Sequence, residues 1–266
     1  MNKPTSKHFA EIDGLKIAYS EAGQGKPLFF WHGWGGSKES WGDLMKELAG
    51  LNRKMVAVDF PGFGESDLPS KPWSVNDYYL FVEKFINSGK FDLAEGFDLA
   101  VHSFGGRVAL KMQESDGLGE KLDHLILIAA AGIKPRVTLK RKIIQSMAWL
   151  GKIVFSMPLL KQLGGVMRKL LYKLVGSRDY LKVEGVMKET FLKVIDEDLR
   201  NNLEKINRPT LIIWGDKDSY VPLEDAKLMK EKIKGAKLKI IKGGKHGIHR
   251  VYAKEIAVWI REFLAN

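Results

Sequence analysis

Leu99-Ala100-Val101-His102-Ser103-Phe104-Gly105-Gly106 is the stretch on which the reading of this chain turns. An apolar run with the look of a buried strand ends at a serine, and a helix opening on two glycines begins directly after it. A chain that passes from strand to helix within one residue holds that residue in a strained backbone conformation. Small neighbours two positions away let strand and helix approach. Gly105 meets this need on the helix side; on the strand side Val101 stands where a glycine is usual, so the pattern is V-x-S-x-G. The context is that of a nucleophile elbow.

On either side of this elbow, short and partly β-branched apolar runs at 27–31, 55–58, 97–101, 125–129, 210–214 and 238–241 alternate with amphipathic segments at 40–49, 74–88, 105–114, 223–234 and 251–264. The runs read as buried parallel strands and the segments as helices covering both faces of one sheet. Residues 7–12 and 15–20, joined by Asp13-Gly14, read as an antiparallel hairpin at the sheet's edge. The alternation breaks after 131 and resumes at 210. Residues 132–203 are mostly helical in pattern, and their density of Leu, Ile, Met, Val and Phe argues for an inserted helical cap rather than a disordered linker. The expected organisation is a core of 1–131 and 204–266 with a cap at 132–203.

A serine hydroxyl needs a base to take its proton, and the base needs an orienting group. With a serine on this kind of turn, the acid is expected on a loop after a later strand and the histidine after that. Leu211-Ile212-Ile213-Trp214-Gly215-Asp216-Lys217-Asp218 ends a strand with two competing carboxylates, of which Asp218 is preferred. His246 follows the last strand in a Gly-rich loop and is the expected base. Of the other histidines, His8 and His124 precede strands and read as packing or surface residues, whereas His249 is placed to touch the same site from the cap side. Charge developing on a carbonyl oxygen calls for fixed N–H donors. Those of Phe104, next to the serine, and Trp34, in the glycine-rich turn after the strand at 27–31, are the candidates.

These residues resemble the α/β-hydrolase family, in its cap-bearing esterase-like branch. The matches are W-H-G-W-G-G-S at 31–37, D-F-P-G-F-G-E-S at 59–66, H-S-F-G-G at 102–106, W-G-D-K-D at 214–218 and the histidine loop at 243–249, spanning nearly all of the chain outside the cap. The resemblance implies an α/β-hydrolase fold with Ser103 as nucleophile, Asp218 as orienting acid, His246 as general base, and Trp34 and Phe104 as oxyanion donors, with no metal or organic cofactor. Two positions depart from the family pattern, Val101 and Lys245, each in place of a glycine; the first bears on the elbow's shape and the second sets a cation beside the base. Haloalkane dehalogenases and epoxide hydrolases of this fold carry aspartate at the nucleophile position, so Ser103 disfavours both. An ester hydrolase is the expected activity. Carbon–carbon bond hydrolases of the meta-cleavage type, other triad enzymes and a catalytically silent ligand-binding protein on the same scaffold remain as alternatives.

Composition agrees with a folded enzyme: of 266 residues, 45% are hydrophobic and 28% charged, which leaves little room for disorder. The absence of cysteine excludes disulfide scaffolds, thiolate metal sites and cysteine nucleophiles. Gly23-Gln24-Gly25-Lys26-Pro27 lacks the length and the Ser or Thr of a phosphate-binding loop. Lys152 and Pro158 interrupt the best apolar stretch, 147–160, and the amino terminus has no secretory pattern, so a cytoplasmic protein is expected, as monomer or homodimer.

The net charge of +11 is concentrated: residues 133–178 hold eleven Lys or Arg and no Asp or Glu. Interleaved with apolar residues, these cations read as the solvated outer face of a lid. A second reading is weak contact with anionic substrates or an anionic membrane surface. Nucleic-acid binding is disfavoured, since no recognised motif accompanies the charge. Met147, Trp149, Phe155, Met157, Met167, Tyr172 and Met187 read as lid core and pocket lining, and so point to a fairly hydrophobic substrate.

Overall fold

Apolar runs too short for helices pair side by side and bury both faces, and this builds the centre of the molecule. The computed structural model describes residues 5–114, 117–134 and 185–265. Its eight strands are β1 (Ser6–Ile12), β2 (Leu15–Gly23), β3 (Lys26–Trp31), β4 (Arg53–Val58), β5 (Phe97–His102), β6 (Leu122–Ile128), β7 (Thr210–Gly215) and β8 (Lys237–Ile241). They form one sheet in the order β1-β2-β4-β3-β5-β6-β7-β8. The hairpin β1–β2 runs antiparallel at one edge, and the strands from β4 to β8 are parallel to one another. Asp13 and Gly14 both take positive φ, 51° and 76°, as a two-residue turn that follows strand twist requires.

Helices cover both faces. On one lie α2 (Val75–Ile86), α3 (Phe104–Lys111) and α5 (Leu223–Lys232), sharing a core with Trp31, Leu99, Val101, Leu127 and Trp214. On the other, α1 (Gly42–Glu47), the short α6 (Ile248–Val251) and α7 (Ala253–Leu264) pack on Phe30, Ala57, Ala100 and Ile213. The start of α2 is set locally by a capping box: Ser74 Oγ accepts from Asp77 N while Asp77 Oδ2 accepts from Ser74 N. Among the described residues, no helix is long and apolar enough to cross a membrane.

Several expectations change at element ends. The helix expected at 40–49 divides into a 3₁₀ turn, Lys38–Trp41, and α1, because Lys38 is drawn inward by distant acids. The helix expected at 105–114 starts at Phe104 and tightens into 3₁₀ geometry over Met112–Glu114. The segment at 251–264 breaks at Tyr252. The strand at 238–241 is largely exposed rather than buried, since β8 is an open edge; Lys237 and Lys239 along it discourage pairing with another chain. His8 and His124 lie inside strands, not before them.

Of the expected cap, residues 135–184 are outside the described residues, and with them most of the basic run and the aromatic and methionine positions from 147 to 172. The described remainder includes α4 (Gly185–Asp196) and a 3₁₀ segment, Arg200–Lys205. Trp73 N donates to Thr190 Oγ1, Arg107 Nη1 donates to the Glu197 carbonyl, and Leu199 N donates to the Gly132 carbonyl, so this return segment is laced to α3 and to the loops before α2 and after β6.

Candidate active site

Ser103, Trp34, Asp218 and His246 hang from the carboxyl ends of parallel strands, where open α/β sheets form their crevices. Ser103 follows β5 with φ 49° and ψ −111°, a conformation costing about 1–3 kcal/mol for a residue with a side chain. The surroundings over-determine it. Ser103 N donates to the Ile128 carbonyl, and its own carbonyl accepts from Gly106 N at 2.9 Å and Ala131 N at 2.8 Å. A Cβ on Gly105 would lie 2.4 Å from the Trp31 carbonyl oxygen, and one on Gly106 would lie 2.6 Å from Ala130 Cβ. Both glycines are therefore demanded by the close approach of α3 to the sheet. Val101, by contrast, is fully buried in the core that α3 covers, and the serine still reaches its partner.

That partner is His246. Its Nε2 lies 2.9 Å from Ser103 Oγ and its Nδ1 lies 2.8 Å from Asp218 Oδ2. With the carboxylate at Nδ1, the network assigns the proton there and leaves Nε2 to accept from the serine hydroxyl. The other Asp218 oxygen accepts from the N–H groups of Tyr220, at 2.8 Å, and Val221, at 3.0 Å. Trp214 Nε1 donates to the Val221 carbonyl and holds this loop from inside. Burial alone would push the Asp218 pKa up, but the bond and charge of His246 and the two backbone donors outweigh it and hold the carboxyl below its ordinary value. Asp216, the competing carboxylate, accepts from Gly243 N at 2.6 Å and ties the loops after β7 and β8 together. Lys245 is exposed, so its charge lies in water, where it is screened from the imidazole.

The turn after β3 lies against the serine because Gly33 has no side chain: a Cβ there would be 2.8 Å from His102 Nδ1 and 3.1 Å from Ser103 Cβ. Gly105 N donates to the His32 carbonyl, and Gly36 N to the Gly33 carbonyl, which stitches this turn to the elbow. Trp34 sits in it, with its ring against Phe63, Phe104 and Phe191 at centroid distances of 4.9, 5.4 and 5.0 Å. Phe104 N is the first amide of α3, where the helix dipole favours negative charge.

Sequence reading missed one support and read another only through His249. One is an ion cluster around the buried pair Lys38–Asp59: Lys38 Nζ donates to Asp59 Oδ2 at 2.8 Å, and to the exposed Glu65 Oε2 at 2.7 Å and Glu39 Oε1 at 2.7 Å. Asp59 also accepts from the backbone N–H groups of Lys38 and Glu65, so it joins the loop at 59–66 to the end of the turn holding Trp34. A lysine before a helix start carries no signal that it will be buried by an acid 21 residues on. The other is a group of imidazoles packed at tilted angles. His102 Nε2 donates to the His246 carbonyl at 3.0 Å, and the His249 ring lies 4.0 Å from that of His102 and 4.9 Å from Trp41. His249 lies against Trp41, and Ile248 beside it is anchored in the core on the α1 and α7 face.

Burial, joined by the neighbouring imidazoles, holds His102 well below its ordinary pKa and His249 at about 3. The sign follows: below the ordinary 6.5 the unfolded chain takes up protons that the folded histidines refuse, so stability is whole above that pH and is lost as the pH falls toward 3. His249 alone should remove about 2 kcal/mol between pH 7 and pH 5, at about 1.4 kcal/mol per unit. Urea unfolding at both pH values checks this. His249→Leu should flatten the dependence, and an unchanged slope would contradict it.

A family model described as the alpha/beta hydrolase family matches residues 28–258. The chain is 28% identical over 274 residues to AB hydrolase superfamily protein YisY of Bacillus subtilis (strain 168), covering 94% of this chain and 95% of that protein. It is 26% identical over 265 residues to the non-heme chloroperoxidase CPO-A1 of Kitasatospora aureofaciens, covering 90% and 91%. Among solved structures it superposes on an esterase from Exiguobacterium antarcticum with a TM-score of 0.72 over 98% of this chain and 100% of that one; at 23% identity this is a likeness of fold.

Proposed function

Because the chain belongs to the alpha/beta hydrolase family, we propose that it is a serine hydrolase cleaving carboxylic esters through an acyl-enzyme intermediate. The reading is carried by one observation: a strained serine hydroxyl, an imidazole and a carboxylate in line, with hydrogen bonds of 2.9 and 2.8 Å. In it, Ser103 Oγ attacks the ester carbonyl as His246 Nε2 takes its proton, and Asp218 holds the imidazole in the tautomer that can accept it. The N–H groups of Trp34 and Phe104 receive the developing oxyanion. The tetrahedral adduct then collapses, the C–O bond to the alcohol breaks, and the alcohol leaves with the proton from His246. Water, giving a proton to the same nitrogen, attacks the acyl-serine; the acid is released and the serine hydroxyl restored.

The rings of Trp34, Phe63 and Phe191 favour a fairly hydrophobic small substrate. Phe191 belongs to the segment read from sequence as the cap, which supports placing that insertion over the site.

A fluorophosphonate tests the proposal directly, since only an activated serine displaces its fluoride. A single adduct mapped to Ser103 by mass spectrometry is expected, together with hydrolysis of p-nitrophenyl esters across a series of acyl lengths. No adduct and no turnover would instead favour the silent ligand-binding alternative.

A further inference from the structure

The ring of Tyr220 lies on the imidazole of His246, with centroids 5.0 Å apart and planes inclined by 29°. Tyr220 is 57% exposed, yet it is not free to swing away with its backbone: its N–H donates to Asp218 Oδ1, and the neighbouring Val221 is fixed through its own N–H to the same oxygen and through its carbonyl to Trp214. The chain thus spends a large aromatic side chain on the solvent side of the imidazole, where packing of the core gains nothing from it. A π face stacked on an imidazole attracts the imidazolium more than the neutral ring.

We propose that Tyr220 is a positioning residue for His246, its ring holding the imidazole in line with Ser103 and favouring the imidazolium that forms when the serine gives up its proton. This rests on the reading of His246 as the general base. The other groups facing His246 are the Asp218 carboxylate and the buried imidazoles of His102 and His249, which stay neutral; the Lys245 ammonium next to it in the chain lies in solvent. Of the two rings against His246, Tyr220 is the stacked one, inclined by 29° where that of His102 is tilted by 47°.

Substitution separates the face from the hydroxyl and from simple cover. Tyr220→Phe keeps the ring, whereas Tyr220→Leu keeps apolar cover and removes the π face. The test is a titration of the His246 ring nitrogens by NMR, assigned by the signals lost in His246→Gln, in the unsubstituted protein and both variants. Tyr220→Phe should titrate with the unsubstituted protein, and Tyr220→Leu about half a unit lower. The acid limb of kcat/KM for a p-nitrophenyl ester should move by the same amount. If Tyr220→Leu titrates unchanged, or Tyr220→Phe shifts as far as Tyr220→Leu, the proposal is overturned. If the NMR shift appears while the acid limb stays in place, the ring's hold on the imidazole stands and His246 is not the base. That outcome condemns the functional reading alone.

Discussion

Ser103→Ala is expected to lower kcat for a p-nitrophenyl ester by about 10⁶-fold, the scale on which a serine nucleophile acts together with its base. What remains after its removal is the oxyanion donors and substrate binding, which cannot make a covalent intermediate. The same position predicts an opposite effect on stability. At φ 49° a side chain is strained and glycine is not. Ser103→Gly should therefore abolish turnover and unfold at higher urea, by about 1 kcal/mol, with Ser103→Ala close to the unsubstituted protein. Loss of the hydrogen bond to His246 opposes this gain, but that bond joins two partly wet side chains and is worth about 1 kcal/mol or less. Residual turnover above about a hundredth in Ser103→Ala would remove Ser103 from the mechanism. A glycine variant less stable than the alanine one would mean that the elbow stores no strain.

This residue also shows which features could be read before the fold was seen. A serine between a buried run and two glycines announces its own geometry, because only glycine survives 2.4 Å from a backbone carbonyl. The strand and helix alternation was equally legible, since short apolar runs buried on both faces leave no other pattern. Asp218 and Asp216 could be separated only by preference, for both follow the same strand. Their distinction lies in three dimensions, where Asp216 meets Gly243 N and Asp218 meets His246. Lys38 and Tyr220 were not legible as supports at all, and His249 only as a residue touching the site. Each owes its role to a partner far along the chain or to the direction in which a short helix turns, and one-dimensional periodicity carries neither. The exposure of β8 belongs with these, because being at the edge is a property of strand order, while the run Lys237–Ile241 itself reads much like an inner strand.

Asp59→Ala is expected to destabilise the protein by about 3–5 kcal/mol, the usual cost of removing one partner of a buried ion pair. The Lys38 side chain is 1% exposed and that of Asp59 is 0% exposed, so water cannot replace the lost carboxylate. Glu65 and Glu39 still reach the ammonium, which places the loss toward the lower end of that range. Against a total stability of about 5–15 kcal/mol, it is nonetheless a large fraction. Asp59→Asn should do no better. The carboxylate accepts Lys38 Nζ and the N–H groups of Lys38 and Glu65, and an amide would turn a donor toward one of them. The pair itself, however, is not expected to add much over an apolar one. Lys38→Met with Asp59→Leu should recover most of the urea midpoint lost by Asp59→Ala, because it removes both buried charges together. It should not recover ester turnover to the same degree: the backbone bonds from Lys38 and Glu65 to Asp59 are what join the loop at 59–66 to the turn that carries Trp34. Stability restored with kcat still depressed would separate the cluster's role in folding from its role in holding that turn, whereas full recovery of both would reduce it to a buried salt bridge and nothing more.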